Sequence, residues 1–277
     1  IILYTSGTTG SPKGVLHGHA GIIAKLTAIE RWFALDDQTT ALCLLPTHFG
    51  HGLIASCLST FHYGGTLVLC RPFDVELLQR LFALVEQYKV NVFSSVPTIV
   101  RLLLKFSEAA HARKPTPPSL RFVTCASAPL HPAETEAFEA RFQVPLLNCY
   151  GITEGGTWSA MSPRDGERDR RSVGTAQGCR FRAVDGDRVE LPPGEIGNLE
   201  ITGPSLMLGY YKDPEATAHA IVDGWLATGD LGHVDTEERV FLAGRSKELI
   251  IRAGANVYPA EVEAVVMSHP AVAEAYV

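Results

Sequence analysis

Residues 1–20 read IILYTSGTTGSPKGVLHGHA. The apolar run Ile1-Ile2-Leu3-Tyr4 has strand character and leads into Thr5, Ser6, Gly7, Thr8, Thr9, Gly10, Ser11, Pro12, Lys13 and Gly14. Glycines let backbone amides come close to a ligand. Amides and hydroxyls clustered in one loop form a concavity for an anion, and Lys13 adds a point charge. The stretch predicts a strand followed by a polyphosphate cradle. A plain polar turn is the competing reading of any Gly/Ser/Thr cluster. The Walker A loop, G-x-x-x-x-G-K-[ST], does not fit: Pro12 precedes Lys13 where glycine belongs, and Gly14 follows where Ser or Thr belongs. Pro12 also has no amide to donate.

Beyond this loop, strand and helix alternate. His19 to Phe33 is helical, with Ile22, Ile23, Leu26, Ile29 and Phe33 at spacings of three and four. Strands are expected at 41–45, 66–70, 91–96, 121–126 and 144–149. Between them lie helices capped by Asp74, opened by Pro97, and spanning 132–142. Such alternation predicts an α/β fold, a parallel sheet covered by helices. The polar run 162–172 breaks the rhythm. The short elements and turn signals of 173–243 then predict a small β subdomain, with one helix starting at Asp213-Pro214. After Gly244 come a strand at 249–251 and a helix opened by Pro259 with an apolar face of Val262, Val265 and Val266. The expected organisation is 1–172 as α/β core, 173–243 as β subdomain and 244–277 as the start of a C-terminal α+β domain. Ile1 falls inside a strand and Val277 inside an apolar run, so the chain is read as an internal fragment.

Composition narrows the function. The net charge of −6 argues against a nucleic-acid partner. Six scattered cysteines lack a C-x-x-C, and the four in apolar runs read as small buried hydrophobes, so a reduced, cytoplasmic setting is expected rather than a zinc site. No apolar run approaches the roughly 18 residues of a membrane span.

Tyr150-Gly151-Ile152-Thr153-Glu154 follows a strand, where parallel sheets bind ligands. Tyr150 offers a flat face to a base, Thr153 a hydroxyl to a phosphate, and Glu154 a hard oxygen to Mg²⁺. The bland alternative is a polar turn. Asn148 is placed to bond an adenine amino group. Asp230, in the apolar context WLATGDLG, needs a partner, because an unpaired buried carboxylate is costly. A ribose diol or turn amides would each satisfy it.

In their order and residues these stretches resemble the adenylate-forming superfamily, which includes acyl-CoA synthetases, peptide-synthetase adenylation domains and luciferases. The resemblance spans the chain. It implies that Thr5 to Gly10 and Lys13 hold the phosphates, Lys13, Thr153 and Glu154 serve catalysis, and Glu154 binds Mg²⁺. It also implies that Ser127, Ala128 and Pro129 wall the adenine slot with Tyr150 and Gly151, and that Asp230 and Arg245 hold the ribose. Lys247 would be the hinge, and Gly254 would line the thiol channel. The implied chemistry joins a small-molecule carboxylic acid, of whatever length, to the α-phosphate of ATP with release of pyrophosphate, and passes the acyl group to a thiol, coenzyme A or alternatively the phosphopantetheine arm of a carrier protein. The family's last domain carries a catalytic lysine beyond the stretch matched here, so the 277 residues alone are expected to be nearly inactive.

One segment departs from the family. Many relatives carry His four residues before a Leu that follows Gly; here that position is Phe49, flanked by His48 and His51. Either histidine would edge the carboxylate pocket, or both are structural. Gly155-Gly156-Thr157-Trp158 is expected to add a further wall. An amino-acid-activating domain would need an acidic residue for the amine, and the pocket stretches offer none. A non-catalytic relative is disfavoured by the presence together of Lys13, Thr153, Glu154, Asp230 and Arg245.

Overall fold

Neighbouring residues of a strand point to opposite faces of its sheet, so a strand covered by helices on both sides must be apolar throughout. The segments TALC, VFSS and FVTC come close, with only small Ser and Thr among their polar residues and all but Thr40 buried, and in a computed structural model of the chain they lie within a seven-stranded sheet. The structure describes residues 1–277 except 6–11, 72, 110–114, 253–254, 268, 270, 273–274 and 276.

In chain order, β1 (Ile2–Thr5) and β2 (Lys13–Leu16) form a hairpin and α1 spans His19–Phe33. After β3 (Thr40–Cys43) comes a π-helical segment, His51–Leu58, continued by α2 (Ser59–His62). Next are β4 (Thr66–Leu69), α3 (Val75–Gln87), β5 (Val92–Ser95), α4 (Pro97–Ala109), β6 (Phe122–Cys125), α5 (Pro132–Phe142), β7 (Leu146–Ile152) and β8 (Thr157–Met161). The remaining strands are β9 (Thr175–Ala176), β10 (Arg180–Val184), β11 (Gly197–Thr202) and β12 (Gly209–Tyr210). After α6 (Pro214–Ala220) come β13 (Ile221–Val222), β14 (Trp225–Val234), β15 (Val240–Arg245), β16 (Ile250–Arg252), β17 (Ala255–Val257) and α7 (Pro259–Met267).

The large sheet has the order β4-β3-β5-β6-β7-β8-β9. Its first five strands are parallel, and β8 and β9 continue it antiparallel. Leu42, Phe93, Val123 and Leu146 face α3, α4 and α5, whose buried side chains include Leu81, Val100 and Phe138. The adjacent residues Ala41, Val92, Phe122 and Leu147 face the other way, towards Ile29 and Phe33 of α1 and Ala55 of the π-helical segment. The second sheet, β10-β11-β14-β13 with β15 on β14, is antiparallel. Its core joins Phe181, Leu199, Ile201 and Leu226 to Tyr150 and Val15.

Three features differ from the sequence reading. The sheet is mixed rather than wholly parallel, because the turn Thr153–Gly155 and Gly156, with φ +79°, reverse the chain into β8. β12 pairs with β2, so the N-terminal hairpin shares a sheet with the β subdomain across the boundary expected at 172. The apolar face read on α7, Val262, Val265 and Val266, lies exposed, Val265 at 72%.

Candidate functional site

A cleft of about 1080 Å³ opens at the C-terminal ends of β5, β6 and β7, where the β subdomain faces the large sheet. Its lining includes Thr5, Lys13, Ser127, Gly151, Thr153, Glu154, Trp158, Tyr210, Thr228 and Arg245. Residues from opposite ends of the chain meet here because the β1–β2 hairpin is pinned between β7's turn and β12.

Lys13 opens β2, paired with Thr5. Its Nζ lies 5.0 Å from the centroid of the Tyr210 ring, a cation–π contact. The Tyr210 hydroxyl donates to Glu154 Oε1 at 2.8 Å. Burial first, and then the Glu154 charge, push the Tyr210 phenol well above its ordinary range, so it stays a donor at every working pH. The Glu154 carbonyl accepts from Met207 N–H at 2.8 Å, which fixes the turn against the β subdomain. On its other side, His17 Nε2 donates to the Thr153 carbonyl at 2.8 Å. That bond requires the proton on Nε2. Burial lowers the His17 pKa, and Nδ1 is left without a partner among the described residues.

Asp230, beside the lining residues Gly229 and Arg245 but not itself on the cleft wall, is 8% exposed. It accepts from the Tyr150 hydroxyl at 2.5 Å, and Arg245 Nε lies 3.4 Å from its other oxygen. Burial raises the Asp230 pKa, while the Tyr150 bond and the Arg245 charge oppose the rise. The partner that the sequence demanded for this carboxylate is therefore a tyrosine and an arginine. Tyr150 itself is 9% exposed, with its ring 6.0 Å from Phe181, because the alternation of β7 turns it into the β-subdomain core. Its ring is buried rather than open to the cleft, and it is Gly151 that faces the space.

Ser127 sits at the cleft with φ +76°, a conformation uncommon outside glycine. Ala128 and Pro129 follow on the exposed turn, outside the lining. Asn148 is half-buried between β6 and β8, also outside the lining, and its carbonyl accepts from Ser162 N–H. Ser6, Gly7, Thr8, Thr9 and Gly10 lie outside the described residues, as does Gly254. Lys247 lines the cleft.

The structure separates the two histidines of the departing segment. His48 and Phe49 are exposed at the cleft, their rings 4.2 Å apart. His51 is buried, with Nδ1 bonded to Ser127 Oγ at 2.9 Å and Nε2 to Ser94 Oγ at 2.5 Å. Thr124 extends the chain by donating to Ser94 Oγ at 2.8 Å. Burial pushes the His51 pKa down to about 4 from its ordinary 6.5. Between those values the unfolded chain takes up a proton that the folded chain refuses. His51 thus contributes stability that is fully present above pH 6.5 and is lost as pH falls towards 4. The loss amounts to about 3 kcal/mol at completion. Denaturant titrations from pH 7 to 4.5 should show His51→Gln with a shallower pH slope than the parent protein. Parallel slopes would remove His51 from this role.

Sequence reasoning missed Tyr210, His17 and Ser94. Tyr210 belongs to LMLGYYKDPE, where only the strand pairing with β2 brings it to Glu154. No metal-binding cluster of three or more His, Cys, Asp or Glu occurs among the described residues, nor does a helix long and apolar enough to cross a membrane.

A sheet whose strand ends open on a cleft roofed by an antiparallel β subdomain is the architecture of the large domain of adenylate-forming enzymes. The chain belongs to the AMP-binding enzyme family, whose model matches residues 1–211. It is 36% identical to a sulfoacetate–CoA ligase of Cupriavidus necator, an alignment covering 99% of this chain and 53% of that protein. It is 34% identical to an oxalate–CoA ligase of Saccharomyces cerevisiae, over 99% of this chain and 50% of that protein. The crystal structure of ATP-bound MatB from Rhodopseudomonas palustris superposes with a TM-score of 0.90 at 32% identity, over 99% of this chain and 53% of that one. The chain spans about half the length of the curated relatives it matches.

Proposed function

We propose that the protein containing this chain is an ATP-dependent acid–thiol ligase: it activates a small carboxylic acid as an acyl-adenylate and transfers the acyl group to coenzyme A. The observation that carries this reading is the convergence of Lys13, Tyr210, Glu154 and Arg245 on one cleft, with Asp230 held by Arg245 just behind its lining. The names of the relatives, CoA ligases acting on carboxylic acids, support the reaction and the acceptor.

In the first half-reaction a carboxylate oxygen attacks the α-phosphorus of ATP and pyrophosphate leaves. Negative charge builds on the phosphate oxygens, and preorganised donors and cations stabilise it. Lys13 supplies fixed positive charge, and the Thr153 hydroxyl is held at the turn that His17 anchors. Glu154 suits Mg²⁺: a hard carboxylate in the cleft, oriented through one oxygen by Tyr210. Bound there, the ion would neutralise charge on the phosphates. Asp230, held by Tyr150 and Arg245, is disposed to accept from ribose hydroxyls. In the second half-reaction the thiol sulfur attacks the acyl carbonyl and AMP leaves. His51, neutral above about pH 4, holds Ser127 and Ser94 and carries no charge to the acid. The six unpaired cysteines suit a reducing compartment, the cytoplasm.

The test is acid-dependent release of pyrophosphate from ATP by the full-length protein, across short, medium, long and aromatic carboxylic acids and amino acids, with and without coenzyme A. One acid class should respond, and coenzyme A should convert its adenylate to thioester and AMP. ATP binding without release for any acid would favour a non-catalytic nucleotide-binding protein instead.

A further inference from the structure

Lys25, on the inner face of α1, is wholly buried. Its Nζ donates to the Gln177 carbonyl at 3.3 Å, and no carboxylate among the described residues acts on it. A buried ammonium with a single carbonyl acceptor and no counter-charge is costly, so burial lowers the Lys25 pKa and favours the neutral amine. A neutral amine is a nucleophile.

The loop that receives this amine also carries a thiol. Gln177, Gly178 and Cys179 join β9 to β10 and lie directly on α1: a Cβ on Gly178 would stand 2.9 Å from Ala28 Cβ and 4.0 Å from the Ala24 carbonyl oxygen. The Ser159 carbonyl of β8 gathers the loop, accepting from Gln177 N–H at 2.8 Å and from Cys179 Sγ at 3.1 Å. Amine and thiol are thus held at the two ends of one three-residue loop. Burial raises the Cys179 pKa and the Lys25 charge opposes the rise. Cys179 is only half-buried, between exposed Gly178 and Arg180, so a small oxidant reaches the sulfur from solvent while Lys25 stands behind it. Cys70, the other half-buried thiol, feels Cys43 and no amine among the described residues. Neither Lys25 nor Cys179 lines the cleft.

We propose that Lys25 and Cys179 form a modification site: hydrogen peroxide oxidises the thiol, and the amine captures the product as a covalent sulfur–nitrogen cross-link between α1 and the β9–β10 loop. The Sγ proton passes to Nζ, and the thiolate attacks one peroxide oxygen. The O–O bond breaks, and the departing hydroxide takes the proton from Nζ and leaves as water. The amine then attacks the sulfur of the sulfenic acid, the S–O bond breaks, and the second hydroxide leaves as water with an amine proton. One thiol, one amine and one peroxide become one sulfenamide and two waters, the sulfur giving up two electrons and the peroxide taking them. The bond closes a long loop of chain, so it restrains the unfolded state as a disulfide does.

The test treats the full-length protein with hydrogen peroxide and maps its tryptic peptides without reductant. Residues 14–31 should appear joined to residues 172–180, two hydrogens lighter than the sum of the separate peptides and uncut after Lys25. Dithiothreitol should separate them again, and the cross-linked protein should melt roughly 5 °C higher than the reduced one. Cys179→Ser should abolish the joined peptide. Lys25→Met should abolish it too while leaving Cys179 as a sulfenic acid that dimedone traps, which a merely structural lysine would not predict. Cys179 recovered as free thiol, or oxidised with the Lys25 peptide cut and unmodified, would overturn the proposal. If Lys25→Met fails to fold, the peptide map of wild type against Cys179→Ser decides the matter. The outcome is independent of the acid-activating function, because no substrate enters the assay.

Discussion

Glu154→Gln is expected to lower acid-dependent pyrophosphate release about 10²–10³-fold, with little change in stability. The substitution keeps the shape of the side chain and an oxygen able to accept from the Tyr210 hydroxyl, so the link between the turn and β12 survives. What disappears is a negative charge, and with it the hard carboxylate that would hold Mg²⁺ against the phosphates. Raising Mg²⁺ in the assay should recover part of the loss, because a weakened site is filled at higher ion concentration. Tyr210→Phe separates orientation from charge. It leaves Glu154 charged but removes the hydrogen bond that aims it, and a bond to a charged group contributes about 1.5–3 kcal/mol, or roughly 10–100-fold. A Glu154→Gln protein within threefold of wild type would remove Glu154 from the catalytic role. Equal losses in the two variants, insensitive to Mg²⁺, would point to collapse of the turn instead.

The parts of the fold that were legible in the sequence are those set by local periodicity. The span His19–Phe33 and the helix Pro132–Phe142 match their expected limits because the apolar spacing and Pro132 at the first turn act within one element. Asp74 and Asp213 cap their helices as read, accepting from Leu77 and Ala216 N–H. The π-helical segment His51–Leu58 has no counterpart in the sequence reading, where Phe49 with His48 and His51 stood only as the edge of a pocket. Gly52 within it is required by close approach: a Cβ there would lie 2.2 Å from the Pro46 carbonyl oxygen. β8 was hidden because Gly155-Gly156-Thr157-Trp158 follows a ligand motif, and nothing local signals that it pairs with Tyr150 and Gly151. The site divides in the same way. Residues of compact motifs, Lys13, Thr153, Glu154, Asp230 and Arg245, were readable from their neighbours. Tyr210 and the His51–Ser94–Thr124 chain depend on strand register between distant segments, which no local pattern encodes.

Gly151→Ala should be the most damaging single methyl group in the cleft. A Cβ at this position would stand 1.9 Å from the carbonyl oxygen of Thr157 and 2.5 Å from its carbon. Both atoms are backbone, so no side-chain rotation relieves the contact. The pairing of β7 with β8 shifts register between Tyr150 and Gly151, and the two strands approach closely at that irregularity. Alanine must push β8 away, and β8 carries Trp158 and the antiparallel extension of the sheet. Overpacking of this kind costs about 3 kcal/mol, which for a chain of this size lowers Tm by roughly 5 °C. The same displacement moves the turn bearing Thr153 and Glu154, and a shift of about 1 Å at a catalytic group can cost about 10²-fold in rate. Gly50→Ala is the matched control for stability: Gly50 already has helical φ and ψ, and the nearest atom to its added methyl would be Leu3 Cδ1 at 3.5 Å. It should melt within about 2 °C of wild type. If Gly151→Ala melts with it, the close approach of β7 and β8 is not what holds the turn, and the placement of Glu154 must depend instead on its anchors from His17, Met207 and Tyr210.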